Sequence, residues 1–342
     1  MTYNIPLSPR PLSHLTAAPQ HRVLTTRALR EHGVSALAAD ERCRPGGPWQ
    51  LLLPGVYLLH PGPPTSDERL HAALLYAEEQ PGQIPAQHGT GLVGPPEAMI
   101  TGLAALTLHG FTGAPSLRAL DRIDVLVPRT RGLRSTGCVH IIRGQQLPEP
   151  DEVTGLPVAP VPRALADTVA QLADAGVVGR LLVESVRGGH CEAEAVVGEL
   201  TRARLLGRPH VRDAVAVLTA EDRALAEGRL YEMVFRHRLP EPSWNVDLRL
   251  PGGPCLGGVD AYWPGQAVAV ELDTCAHRHD GETQWSEYAR KREVLEGLGI
   301  TVVHLTPHKL RDALEQQAAI VRTALMTAVE REPAEYVIVL PR

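Results

Sequence analysis

The sequence predicts a multi-domain α/β protein, and three observations lead there. At 342 residues the chain is longer than one ordinary core accommodates, since single cores stop growing near ~250–300 residues. Apolar runs of strand length alternate with longer segments of helical period. Pro and Gly, 30 and 31 in number, mark the joints between them. With 44% hydrophobic and 21% charged residues the composition is that of a globular chain. No apolar run reaches the ~18–20 residues that a membrane span needs, so no membrane partner is expected.

The expected organisation is a poorly ordered, Pro-rich leader over 1–20, a small first domain over 21–64, a mixed α/β middle domain over 65–215 and a C-terminal α/β domain over 216–342. The leader, MTYNIPLSPRPLSHL, lacks a charged region followed by an apolar core and lacks a small-residue cleavage site. A cytoplasmic location is therefore expected. Cys43, Cys138, Cys191, Cys255 and Cys275 are scattered and form no CxxC pair, which argues against a disulfide framework. A net charge of −5 is no footprint of a nucleic-acid binder, although it leaves room for a local basic face. Of the 34 basic residues only Lys291 and Lys309 are lysines, a bias that decides nothing about chemistry.

In the first domain, Thr25 or Thr26 can cap a short helix, TRALREH, that stops at Gly33. Ser35 can cap a second, SALAADER, ahead of Pro45 and Gly46. GPWQLLLPGVYLL then reads as two strands turning at Pro54-Gly55. Helix, Gly turn, helix and hairpin is the order of a winged helix-turn-helix. In the middle domain, SDERLHAALLYAEE reads as a capped helix, PPEAMITGLAALTLHGF as a second and mostly buried one, and IDVLVP and CVHIIRG as strands. PVPRALADTVAQLADAG, VVGRLLVESVRGG and the stretch around Ala193–Leu205 read as helices. In the C-terminal domain TAEDRALAEGRLYEMVFRHR is a helix and NVDLRL, GGVDAYW and AVAVELD are strands. WSEYARKREVLEGLG (helix), ITVVHLT (strand) and one closing helix from KLRDAL onward complete the order.

The chemistry concentrates in this last region. A strand sets residues two apart on one face, so Glu271 and Asp273 share a face that Leu272 does not. If GGVDAYW and AVAVELD form a hairpin around Pro264-Gly265, Asp260 comes close to Ala269 or Val270 and hence to Glu271. Carboxylates brought together repel unless a cation sits among them. Oxygen ligands suit Mg²⁺ or Mn²⁺, which can activate water and stabilise charge on a phosphate. Taken singly, Asp260 could cap a turn, Glu271 could be an edge charge, and Glu227 could be an ordinary helix surface residue. Cys275, His277 and His279 invite a zinc reading, but their one-residue spacing crowds a tetrahedral site and a second Cys/His pair is lacking. His304 and His308 read as structural.

The order D…ExD between a Glu-bearing helix and a basic helix resembles the restriction-endonuclease-like PD-(D/E)XK superfamily, in particular the branch related to very-short-patch repair endonucleases. AEGRLYEMVFRHRLPEP resembles that branch's opening helix and Leu-Pro-x-Pro turn, VDAYWP its Asp-x-x-Trp-Pro segment, and VELDTCAH its Glu-x-Asp-Gly-x-x-His segment. YARKREVLEGLGITVVHLT resembles its Arg-rich helix and final strand. The resemblance implies Asp260, Glu271 and Asp273 as metal and catalytic residues, Glu227 as a distal ligand, and His277 as a proton shuttle or phosphate contact. Arg290 and Lys291 would be contacts to the DNA phosphate. The superfamily's Lys after Glu271 is Asp273 here, Thr274 replaces a usual Gly, and Tyr288 stands where Asp is commoner; these departures bear on turnover.

LTTRALREHGVSALAADERCRPGGPWQLLLPGVYLL resembles the winged-helix domain of AbiEi-family antitoxins of type IV toxin–antitoxin systems, and the likeness extends weakly through TGLAALTLHGF and DVLVP to PVPRALADTVAQL. It implies a DNA-binding helix beginning at Ser35, with Arg27, Arg42 and Arg44 near DNA and a cognate toxin as a second partner. The local charge argues less for DNA. Between Thr25 and Arg44 there are four Arg and three acids, a balance of 4 − 3 = +1. Three functions follow as expectations: an antitoxin-like transcriptional regulator fused to an endonuclease-like domain, a Mg²⁺- or Mn²⁺-dependent DNA endonuclease, or a non-catalytic interaction protein. A small-molecule cofactor is not expected.

Overall fold

The computed structural model describes residues 22–78, 98–274, 282–328 and 337–342. The expected leader and the segment holding Cys275, His277 and His279 lie outside the described residues. The chain is mixed α/β and divides into two units, Met1–Leu181 with Arg202–Leu205, and Leu182–Thr201 with Leu206–Arg342.

The first unit begins with β1 (Val23–Thr25), α1 (Thr26–Glu31), α2 (Ala36–Arg42), β2 (Gln50–Leu53) and β3 (Val56–Leu58). The caps are those the sequence predicts: Thr25 accepts from the Ala28 N–H at 3.2 Å and Ser35 from the Ala38 N–H at 3.2 Å. Gly33 and Gly55 have φ of 77° and 79°, conformations that favour residues without a Cβ. The strands form an antiparallel sheet in the order β1-β3-β2. A small core of Leu29, Val34, Ala39, Trp49 and Tyr57 binds helices to sheet. Helix α3 (Ser66–Glu78) opens on a capping box, with the Thr65 N–H donating to Glu68 and the Glu68 N–H to Thr65.

The next segment differs from expectation. Met99–Thr101 is strand β4, and only Gly102–Leu108 is helix (α4). Gly102 stands at φ +64°, so the helix cannot extend back through it. Strands β5 (Ile123–Pro128) and β6 (Val139–Gly144) follow as expected. Then comes an unforeseen hairpin, β7 (Asp151–Val153) and β8 (Leu156–Val158). It turns through Thr154 and Gly155 at φ 52° and 77°, the paired positive angles of a type I′ turn. The sheet order is β6-β5-β4-β8-β7, with α5 (Val161–Gln171) packed against α4. Helix α6 (Ala175–Arg187) follows in sequence.

In the second unit, α7 (Ala193–Arg202) precedes α8 (Pro209–Arg236), which is 28 residues long, so the boundary expected at 216 falls inside a helix. Strands β9 (Ser243–Arg249), β10 (Cys255–Trp263) and β11 (Val268–Leu272) form an antiparallel meander. Helix α9 (Glu282–Gly297) crosses over to β12 (Thr301–Leu305), which lies parallel beside β11. The closing helix is two helices, α10 (Pro307–Asp312) and α11 (Leu314–Ala328), interrupted at Ala313 (φ −140°, ψ 44°). A final strand, β13 (Ile338–Pro341), pairs with the outer edge of β9. Ala261, Trp263, Val268, Val270, Leu272, Val303 and Leu305 share a core with Ala226, Leu230 and Met233 of α8 and Val321 of α11. Tyr262 and Ala269 pack on the other face with Leu295 of α9. The sheet is thus covered on both sides, which explains the nearly continuous apolar character of β11.

Candidate functional site

The hairpin of β10 and β11 closes with Trp263 opposite Val268, so Val270 meets Ala261 rather than Asp260. The pairing ends at Ala261 opposite Val270, one residue short of Asp260 on β10 and of Glu271 on β11, where the Leu272 N–H turns to the Asp260 carboxylate. Both carboxylates are buried, at 8% and 4% exposure. Burial of ionised carboxyls demands partners, and each has its own.

Asp260 is engaged from the α8 side. Its Oδ1 receives Arg223 Nη2 at 2.5 Å, and its Oδ2 accepts the Leu272 backbone N–H at 2.7 Å. The same guanidinium holds Glu227, with Nε 2.9 Å from Oε1, an i,i+4 pair on the helix. Glu271 is engaged from the α9 side. The Lys291 ammonium lies 2.5 Å from Oε1 as an ion pair, at an angle outside hydrogen-bond geometry. The same ammonium donates to the Gly258 carbonyl at 2.6 Å. On the next strand, His304 Nδ1 lies 3.8 Å from Glu271 Oε2. Burial holds the His304 ring below the usual imidazole range, opposed by the negative charge of Glu271 and Asp273. The Asp273 N–H donates to the Leu305 carbonyl at 2.8 Å, fixing the chain where β11 ends.

The expected acidic residues therefore occupy one region of the second unit, Asp260 and Glu227 tied through Arg223, Glu271 tied to Lys291. The donors do not fit a shared divalent ion as they stand. Asp260 has both oxygens committed, Glu271 carries a cation against it, and among the described residues no three His, Cys, Asp or Glu side chains gather to hold a metal. Arg290 is exposed on α9, beside the inward-reaching Lys291. His277 lies outside the described residues.

Sequence reasoning missed Arg223. Its position four residues before Glu227 on a helix was a usable signal for their pairing, but its reach to Asp260, 37 residues along the chain, was not. His304, read as structural, lies beside Glu271 and feels the charges of Asp273, Arg292 and Lys291 as well.

In the first unit the proposed DNA contacts are engaged within the unit. Ser35 caps α2, Arg27 pairs with Glu31 at 3.4 Å, Arg44 with Glu41 at 3.6 Å, and the Arg42 guanidinium stacks 4.5 Å from the centroid of Trp49. The two ion pairs are exposed, so they are weak enough for a phosphate to compete with them. Leu37 on α2 and Leu51 on β2 stand out at 79% and 53% exposure.

No protein family model matches the chain. No curated protein matches it significantly. Among the described residues no helix is long and apolar enough to cross a membrane.

Proposed function

We propose that the chain is a DNA-associated regulator of antitoxin type whose C-terminal unit has endonuclease-like architecture and contacts DNA without cutting it. One observation carries the reading: in a unit ordered as α8, the β9–β10–β11 meander, the α9 crossover and parallel β12, the buried Asp260 and Glu271 carboxylates are closed by Arg223 and Lys291. The architecture speaks for kinship with DNA-cutting enzymes, and the closed carboxylates speak against turnover. The capped α1–α2 pair and its hairpin supply a second DNA-facing element of winged-helix order.

Two measurements test this. Binding of a fluorescent duplex should weaken with salt, with a shallow slope corresponding to about 2–4 phosphates, given the small local charge excess; affinity independent of salt would refute phosphate contact. Plasmid incubated with Mg²⁺ or Mn²⁺ should stay intact. Cleavage that disappears in Glu271→Ala would instead establish the endonuclease reading.

A second reading, a non-catalytic interaction protein that holds a toxin, draws on Leu37 and Leu51. Where a groove-reading helix and its wing would carry polar side chains, α2 and β2 expose leucine. Leu37→Ala would weaken complex formation by about tenfold or more in that case, yet leave salt-dependent duplex binding within about twofold.

A further inference from the structure

Resting on the reading of Asp260, Glu227 and Glu271 as the acidic positions of an endonuclease-like unit, we infer that this chain carries its own counter-cations there, Arg223 closing Asp260 and Glu227 and Lys291 closing Glu271, so that these carboxylates take up no divalent ion.

A single guanidinium bridges carboxylates from two elements, Asp260 on β10 at 2.5 Å and Glu227 on α8 at 2.9 Å. Arginine is a permanent cation whose planar fork suits two carboxylates at once. The remaining oxygen of Asp260 is held by a backbone N–H, which leaves the carboxylate no uncommitted oxygen. Lys291 is equally built in. Its stem lies over Gly257, where φ is +110° and an added Cβ would fall 2.9 Å from Lys291 Cε. Its ammonium is fixed between the Gly258 carbonyl and Glu271. A glycine and a carbonyl thus form a seat that only a long cationic side chain fills. A divalent ion entering here would have to displace two fixed cations and leave them unpaired in a poorly solvated region, where uncompensated charge is costly.

The test is a Mn²⁺ titration of the full-length protein, followed by the loss of the free Mn²⁺ spin-resonance signal. The native chain is expected to show no saturable uptake up to ~1 mM, the weak end of protein sites for such ions. Arg223→Ala should gain one saturable site, tightening apparent affinity by about tenfold or more. Arg223→Lys, which keeps the charge, should stay closed, and the double variant Arg223→Ala/Asp260→Asn should lose the gain. Saturable uptake by the native chain that vanishes in Asp260→Asn or Glu271→Gln would overturn the inference. So would an Arg223→Ala protein of native circular dichroism that gains nothing. The native-chain arm does not depend on Arg223→Ala, so it remains decisive even if that variant fails to fold. None of these readings involves DNA, so failure of the DNA-binding proposal leaves them intact.

Discussion

At the level of single residues, the most consequential ionisable group away from the candidate site is Asp222. It is buried on α8, and its pKa is pushed up to about 6, first by burial and then by the negative charge of Glu192, against which Arg229 and Arg311 act. The ordinary value is 3.8. A raised folded-state pKa in an acid means that the native state binds the proton more tightly, so the contribution of Asp222 to stability is greatest below about pH 4 and is lost as pH rises through about 6. Asp222→Asn should accordingly stabilise the protein at pH 7.5, by about 1–2 kcal/mol after allowance for solvent screening, and the gain should vanish by pH 4. Thermal melts of both proteins across that range check it; a pH-independent difference would refute it. Cys191 gives a second residue-level outcome. Burial pushes its thiol up to about 12, so almost no thiolate exists at pH 8. Iodoacetamide should label exposed Cys255 well before Cys191, which should react only on unfolding. Neither property was legible in the sequence, because burial is a property of packing and not of the local string.

Elements were more legible than residues, and the reasons are local. Short-range signals worked where they act within a few residues: Ser35 caps α2, Thr65 and Glu68 close a capping box, and Gly33 and Gly55 sit at positive φ where turns were expected. Removing the Ser35 hydroxyl by Ser35→Ala should cost about 1 kcal/mol, read as a lower melting temperature, and should weaken duplex binding if α2 contacts DNA. Misreadings arose where a long-range pairing overrode local appearance. Met99–Thr101 looked like the start of a helix, but it pairs with β5 and touches β8, and Gly102 turns the chain into α4. The packing there is close. A Cβ at Gly102 would press onto Asp124 Oδ2, and Asp124 also accepts from His140 at 2.8 Å and Gln171 at 3.1 Å. Gly102→Ala should therefore destabilise the protein by about 2–4 kcal/mol, from left-handed strain and the displaced carboxylate together. A melt within a degree of the native one would show that the turn tolerates a side chain.

For the whole molecule, the class of fold was readable from alternating periods, and the order of elements in the C-terminal region came out nearly complete. What escaped was tertiary: α8 running straight through the expected boundary at 216, the break at Ala313, and β13 returning to the sheet. The site shows the same division. The acidic residues could be named from spacing, because a strand fixes which side chains share a face. Their cations could not, because Arg223 and Lys291 come from helices that only folding brings alongside Asp260 and Glu271.

The return of β13 has a bearing on solubility. Ile338–Pro341 satisfies the backbone of β9, and the Arg342 N–H reaches the Asn245 carbonyl. Without those few residues β9 would present a bare ladder of amides and carbonyls, a template on which a neighbouring molecule could build. Deleting the final six residues should thus turn a well-behaved solution into one whose light scattering climbs with concentration, while circular dichroism registers almost no loss of helix.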